Sequence, residues 1–198
     1  MLLNEKYILE QARRGDKNAF ENIVREYERF VYIFAYRNCN NRQDAMDISQ
    51  EVFIKFFKSL PNFNGKSSIS TWLFRITVNT CIDYFRKKKV DTVPLDDVRE
   101  DVNASSSQPE EAAEDKEISE QIQSALLKLS EEHRRIIVLR DVSGLDYTRI
   151  SEILSVPQGT VKSRLFRARE NLRRLLLSNG MFHEASGILG EEGGARNE

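Results

Sequence analysis

Histidine and cysteine are scarce, with two of each in 198 residues. His133 and His183 stand far apart without matching ligands, and Cys39 and Cys81 lack the pair spacing of a metal site. No metal, no cofactor and no catalytic residue is therefore expected. Each thiol is read as reduced and half-buried, as in a cytoplasmic protein. No apolar run approaches the ~18–20 residues of a membrane span, which excludes direct membrane insertion. The opening stretch MLLNEKYILEQARRGD has early acids and no small-residue cleavage site, so it does not read as a signal peptide. There is no glycine-rich phosphate loop, and no small-molecule substrate is expected. No segment reads as a convincing strand, and no repeat is visible.

What is present is ordinary for a soluble protein: 40% apolar and 31% charged residues. The net charge of −1 conceals an asymmetry. Between Asp146 and Leu176 the cations are Arg149, Lys162, Arg164, Arg167, Arg169, Arg173 and Arg174, against Asp146, Glu152 and Glu170. The middle of the chain is the reverse. A neutral total thus leaves nucleic acid open as a partner, because the local distribution steers.

That basic stretch reads as two helices and a short turn. Ile150, Ile153 and Leu154 share one face of the first; Ser155, Val156 and Pro157 form the turn, with Pro157 at the first position of the second helix. Val161, Leu165, Ala168, Leu172 and Leu175 make one apolar stripe on that helix. The opposite face carries Lys162, Ser163, Phe166, Arg167, Arg173 and Arg174. Cations, a hydroxyl and an aromatic on one outer face suit the major groove. A solvated basic helix is the plainer reading, but Phe166 lies off the stripe with no core to enter.

Taken in order, the chain reads as all-α. A short helix spans Leu3 to Arg14, and Asp16 or Asn18 caps the next, whose face is Phe20, Ile23, Val24, Tyr27, Phe30, Val31 and Phe34. A third runs from about Arg42 to Leu60 with Ala45, Ile48, Val52, Phe53, Phe56 and Phe57 mostly inward, and Asp44, Asp47, Gln50 and Glu51 outward. A polar loop, PNFNGKSSIS, leads to a helix from near Ser70 to about Lys88. Residues 91–115 are acidic, with Pro94 and Pro109, and read as a flexible linker. Helical periodicity returns near Lys116. The expected plan is two small helical domains, 1–90 and 116–178, the second a helix-turn-helix, with a fraying tail at 179–198.

Two candidate features of the first domain have double readings. The acidic face of the third helix is either solvated or a dock for a basic partner. The loop and the helix with Trp72, Phe74, Arg75 and Asn79 either bury Trp72 in the core or capture unstacked bases on aromatic faces while cations track the backbone.

Three stretches, DAMDISQEVFIKFFKSL, FNGKSSISTWLFRITVNTCIDYFRKKK and GLDYTRISEILSVPQGTVKSRLFRARENL, together resemble the extracytoplasmic-function group of sigma-70 family sigma factors. The resemblance covers about residues 16 to 177, linker aside. It implies a cytoplasmic alternative sigma factor that binds core RNA polymerase and promoter DNA and is held by an anti-sigma factor, in a stress or envelope response. Asp47, Gln50 and Glu51 would meet the β′ clamp helices. The loop from Asn64 to Ser70, with Lys66 and Ser67, and the helix holding Trp72, Arg75 and Asn79 would open and read the minus-ten element. Thr160, Lys162, Ser163, Phe166 and Arg167 would read the minus-thirty-five element, Arg173 and Arg174 would follow its backbone, and the apolar surface of that domain would take the β flap. Primary sigma factors carry paired tryptophans where this chain has Trp72 and Leu73, a departure that implies a narrow promoter set. A helix-turn-helix regulator that does not initiate transcription, or a module that binds polymerase without reading DNA, are the other readings. A plain regulator has no need of the loop and the Trp72 helix.

Overall fold

The structure is a computed structural model and describes residues 5–65, 67–91 and 109–178. Among these residues there are helices and no strand. The first half holds α1 (Glu5–Arg13), α2 (Lys17–Cys39), α3 (Arg42–Ser59) and α4 (Ile69–Asp91), with a 3-10 turn at Leu60–Asn62 before the α3–α4 loop. The second holds α5 (Pro109–Lys128), α6 (Glu131–Ile137), a π turn (Val138–Val142), α7 (Tyr147–Leu154) and α8 (Gln158–Ser178).

The boundaries follow from capping chemistry. Gly15, at φ +91°, closes α1: its N–H reaches the Ala12 carbonyl and the Asp16 N–H reaches Gln11. Asp16, rather than Asn18, then caps α2, accepting from Asn18 and Ala19 amides. Asn40 ends α2 in the left-handed conformation, and Asn41 caps α3 through the Asp44 amide at 2.9 Å. Ser130 and Asp146 cap α6 and α7 in the same way.

In the first half, Ile23, Val31 and Phe34 of α2 face Ile48, Val52 and Phe56 of α3 and Leu73 and Val78 of α4, all buried. Phe30 stacks on Phe74 with ring centroids 3.6 Å apart. In the second half, Leu126, Ile136, Leu139, Ile150, Val161 and Leu165 close the core. The two halves also touch, α2 against α5 and α4 against α7.

Several expectations are corrected. Helix α5 begins at Pro109, ahead of the return of helix expected near Lys116. Pro109 suits a first helical position, and Glu110 and Glu111 follow where acids complement the helix dipole. Pro157 precedes α8: its carbonyl accepts the first intrahelical bond, from the Val161 amide at 3.1 Å. Phe57 is 51% exposed, because Val52 and Phe56 already occupy the buried stripe of α3. Cys81 is buried rather than half-buried, and both thiols are free. His133 is half-buried and hydrogen-bonds Asn171 at 3.0 Å. Lys66, His183, residues 92–108 of the linker and the tail from 179 lie outside the described residues.

Candidate nucleic-acid interface

Helices α7 and α8 meet at a tight turn. Ser155 takes φ +55° while the Val156 amide returns to the Ser151 carbonyl, and the Ser151 hydroxyl donates to the Val156 carbonyl at 2.6 Å. Gln158 donates to the Thr148 hydroxyl at 3.0 Å, tying the start of α8 to α7. With Val161, Leu165 and Ala168 inward, Lys162, Ser163, Phe166, Arg167, Arg173 and Arg174 are left exposed on the outside. Phe166 is 70% exposed, which no packing role explains. Thr160 is half-buried, and its carbonyl accepts from the Ser163 hydroxyl at 3.1 Å.

Ion pairing sorts the cations of α8. Arg164 pairs with Glu132 at 2.6 Å, and Arg169 makes a double contact with Asp141 of the π turn. Hydrogen bonding to Asp141 is the main cause raising the Arg169 guanidinium above its ordinary value. Both cations therefore fasten α8 to α6 and the π turn. Arg174 bonds Asn171 at 2.6 Å. Lys162 lies 5.9 Å from the Tyr147 ring centre, over which the Arg140 guanidinium also sits at 4.9 Å. Tyr147 and Arg140 were not foreseen; their meeting depends on the turn between them.

The α3–α4 loop ends in a dense set of hydroxyls. Ser68 caps α4 through the Thr71 amide at 3.1 Å and lies 2.9 Å from the Ser70 hydroxyl and 3.0 Å from that of Thr71. Trp72 is half-buried, stacked on Phe63 at 4.5 Å and tilted against Phe56 at 5.0 Å. Asn64, Gly65 and Asn79 are exposed, and Ser67 is half-buried. Thr71, Arg75 and Asn79 recur every fourth residue along one face of α4. Arg75 donates through Nε to the Glu152 carbonyl at 2.8 Å, and Thr71 to the Glu152 carboxylate at 3.4 Å. Helix α7 thus stands against the face of α4 expected to read DNA.

A groove opens on the far side, between α2 and α3. Val24, Tyr32, Met46, Phe53 and Ile54 line it, Gln50 lies in its wall, and Glu28, Arg29 and Arg42 edge it. Met46, Ile54 and Phe57 are 45%, 53% and 51% exposed, an apolar edge too concentrated for scattered surface residues. Asp47 accepts from Gln43 at 3.0 Å, Glu51 pairs with Lys55 at 2.8 Å and Asp44 pairs with Lys88 at 3.0 Å, so three of the four residues of the acidic face already hold partners in the first half. The apolar residues beside them were missed. Their signal was present: Met46, Ile54 and Phe57 lie off the stripe that Ile48, Val52 and Phe56 define. No group of His, Cys, Asp and Glu among the described residues is arranged to hold a metal, and none of their helices is long and apolar enough to cross a membrane.

The family model described as Sigma-70 region 2 matches residues 23–90, and that described as Sigma-70, region 4 matches residues 119–172. Over 176 residues the chain is 38% identical to the ECF RNA polymerase sigma factor SigW of Bacillus subtilis, covering 85% of this chain and 94% of that protein. It is 33% identical over 176 residues to the ECF RNA polymerase sigma-E factor of Escherichia coli K12, covering 85% and 92%. The sigma factor RpoE of Bartonella quintana, co-crystallised with the anti-sigma factor NepR, aligns with a TM-score of 0.63 at 26% identity, over 79% of this chain and 96% of that one. CnrH, solved with the cytosolic domain of CnrY, shares the fold at a TM-score of 0.67 and 23% identity, over 89% and 99%.

Proposed function

Because the chain belongs to the extracytoplasmic-function group of sigma-70 family RNA polymerase sigma factors, we propose a division of work among its surfaces. The protein is an alternative sigma factor: it binds core RNA polymerase and directs promoter-specific transcription initiation. It acts in the cytoplasm, and no catalytic step is assigned to its own side chains. The first domain, through residue 90, meets core polymerase and the minus-ten element. The second, which α5 extends back to Pro109, meets the minus-thirty-five element and the β flap.

One observation carries this reading. A single chain holds both a helix-turn-helix with Phe166 exposed between Lys162 and Arg167, and a separate apolar groove at Met46 and Ile54. A regulator that only reads DNA needs the first and not the second. Runoff transcription by core polymerase, with and without the full chain, tests it. Transcripts from one promoter class that require the protein are expected; DNA binding without transcripts would favour the regulator.

The groove is the proposed dock for the β′ clamp helices, with Gln50, Asp47 and Glu51 at its acidic side. Gln50→Ala and Ile54→Ala should each weaken core binding by about tenfold or more, since truncating a central, desolvated interface residue costs ~2 kcal/mol or more. Minus-thirty-five duplex binding should not change. A titration against core polymerase that gives wild-type affinity for both variants would remove the groove from the interface.

The exposed loop residues Asn64 and Gly65, with Ser67, are the proposed pocket for a base drawn from the non-template strand, and Arg75 and Asn79 the readers beside it. Trp72 supports the loop from below through Phe63. The relative from B. quintana bound to its anti-sigma factor supports a partner of the same kind here, in an envelope or other stress response.

A further inference from the structure

Helix α1 touches the α3–α4 loop at both of its ends. Arg13, the last residue of α1, donates through Nη2 to the Pro61 carbonyl at 3.3 Å, within the 3-10 turn where the loop begins. Glu5, its first residue, accepts the Ile69 amide on Oε1 at 2.6 Å, where α4 begins. Glu5 and Arg13 are eight residues apart, so at 1.5 Å per residue they stand about 12 Å apart along the helix. They reach across 64 and 48 residues of sequence.

The two contacts are unequal in kind. Ile69 is 1% exposed, so its amide sits at a buried helix start where water is not at hand. A carboxylate there satisfies the amide and meets the positive end of the helix dipole. Arg13 is exposed, and its contact is a long bond to a carbonyl at the surface. Between these anchors Phe63 is pinned on Trp72, and Gly65 turns the chain at φ +72°.

We propose that α1 is a brace for the promoter-opening loop, with Glu5 and Arg13 as positioning residues that fix its two ends. The inference rests on the reading that this loop captures a base. Capture requires the loop in one conformation, and ordering a residue costs ~1–2 kcal/mol of backbone entropy at the moment of binding unless the protein has already done so. Leu9 and Ala12, 8% and 3% exposed, dock α1 on the core without either polar side chain. Losing Glu5 should therefore loosen the loop while leaving the helix seated. The surfaces for core polymerase and for the minus-thirty-five element lie elsewhere and should be untouched.

The experiment assembles core polymerase with the full chain on a promoter and follows closed complexes by gel shift in the cold and opening by permanganate reactivity of thymines. Four variants are compared: Glu5→Ala, Glu5→Gln, Arg13→Ala, and a loop shortened by Asn64 and Gly65. The shortened loop should bind and not open. Glu5→Ala should open on the order of tenfold less, with closed complexes as in the wild type and only a small fall in melting temperature from the Ile69 amide left without its acceptor. Glu5→Gln keeps the acceptor oxygen and should recover most of the loss, and Arg13→Ala should show a smaller defect. If Glu5→Ala opens normally while the shortened loop does not, the brace is wrong and base capture stands. If the shortened loop opens normally, base capture falls and the brace falls with it. Equal loss of opening in Glu5→Ala and Glu5→Gln, matched by a lower melting temperature, assigns Glu5 to stability alone and also overturns the brace.

Discussion

Cys81 is 1% exposed, and burial is the main cause that pushes its thiol up to about 12; burial likewise raises Cys39 to about 11, and its thiol donates to the Asn41 carbonyl at 3.2 Å. Folding thus favours the protonated thiols. That contribution is fully present below the ordinary thiol value of 9.0 and is lost as pH rises through about 11 and 12. The thiolate is the reactive form, and a two-unit rise makes it roughly a hundredfold scarcer at Cys39. A disulfide-exchange reagent at pH 8 should therefore label the native protein at least about tenfold more slowly than the protein in denaturant. Equal rates would mean that the pocket around these thiols opens on the timescale of labelling. Either cysteine would make a poor redox sensor as it stands, because the fold hides the atom that must react.

Helix α8 separates stability from recognition by face, and the separation can be measured. Leu165 is 2% exposed beneath the turn, so Leu165→Ala should cost ~2–5 kcal/mol through the cavity it leaves, read as a fall in melting temperature. Arg167 is exposed on the opposite face, and Arg167→Ala should leave the melting temperature alone. If Arg167 meets a base edge, its loss should remove ~1–3 kcal/mol of discrimination between wild-type and altered minus-thirty-five sites. Isotherms on both sites at two salt concentrations decide the matter: uniform weakening would make Arg167 a phosphate contact. This two-faced pattern was legible in the sequence because a helix repeats every 3.6 residues and its neighbours are local. The cap of α2 was narrowed to Asp16 or Asn18 for the same reason. Other features were not. Charge density disguised the first turns of α5, where acids favour a helix start as well as they favour a solvated linker. Phe57 was counted inward because aromatic residues usually are, yet α3 has room for only one buried stripe. Glu5 meeting Ile69 and Arg164 choosing Glu132 are long-range pairings, and no spacing rule reaches them. Recognition of the candidate loop came from its resemblance to a family; its support from α1 came only from the fold.

The two domains are held together by contacts that include the proposed minus-ten reader Arg75. Arg75, assigned to the minus-ten element, spends its Nε–H on the Glu152 carbonyl of α7. Arg37 and Gln123 exchange two bonds, guanidinium to side-chain oxygen at 2.9 Å and side-chain amide to the Arg37 carbonyl at 3.3 Å. Arg134 is 9% exposed and reaches the Asn38 carbonyl at 2.6 Å across the same seam. Burial is the main cause lowering its guanidinium, and it is surrounded by carbonyls: it also donates to Leu126 at 2.9 Å, Leu127 at 2.6 Å and Leu129 at 3.2 Å within its own domain. Arg134→Ala would therefore damage the second domain as well as the seam, and its effects could not be divided. Gln123 is the better probe. It is 5% exposed, lies on α5, and its side-chain hydrogen bonds to Arg37 cross between domains. Removing two hydrogen bonds worth about 0.5–1.5 kcal/mol each should favour separation on the order of tenfold. A ligand that needs the separated form binds in proportion to its population, so apparent affinity should rise by the same factor until that form dominates. Gln123→Ala is expected to bind a single-stranded minus-ten oligonucleotide more tightly than the wild type in the absence of polymerase, and to show a larger radius of gyration in solution scattering. If core polymerase holds the two domains apart, the advantage should shrink in its presence. An oligonucleotide isotherm and a radius identical to the wild type would show that the seam does not govern access to Arg75.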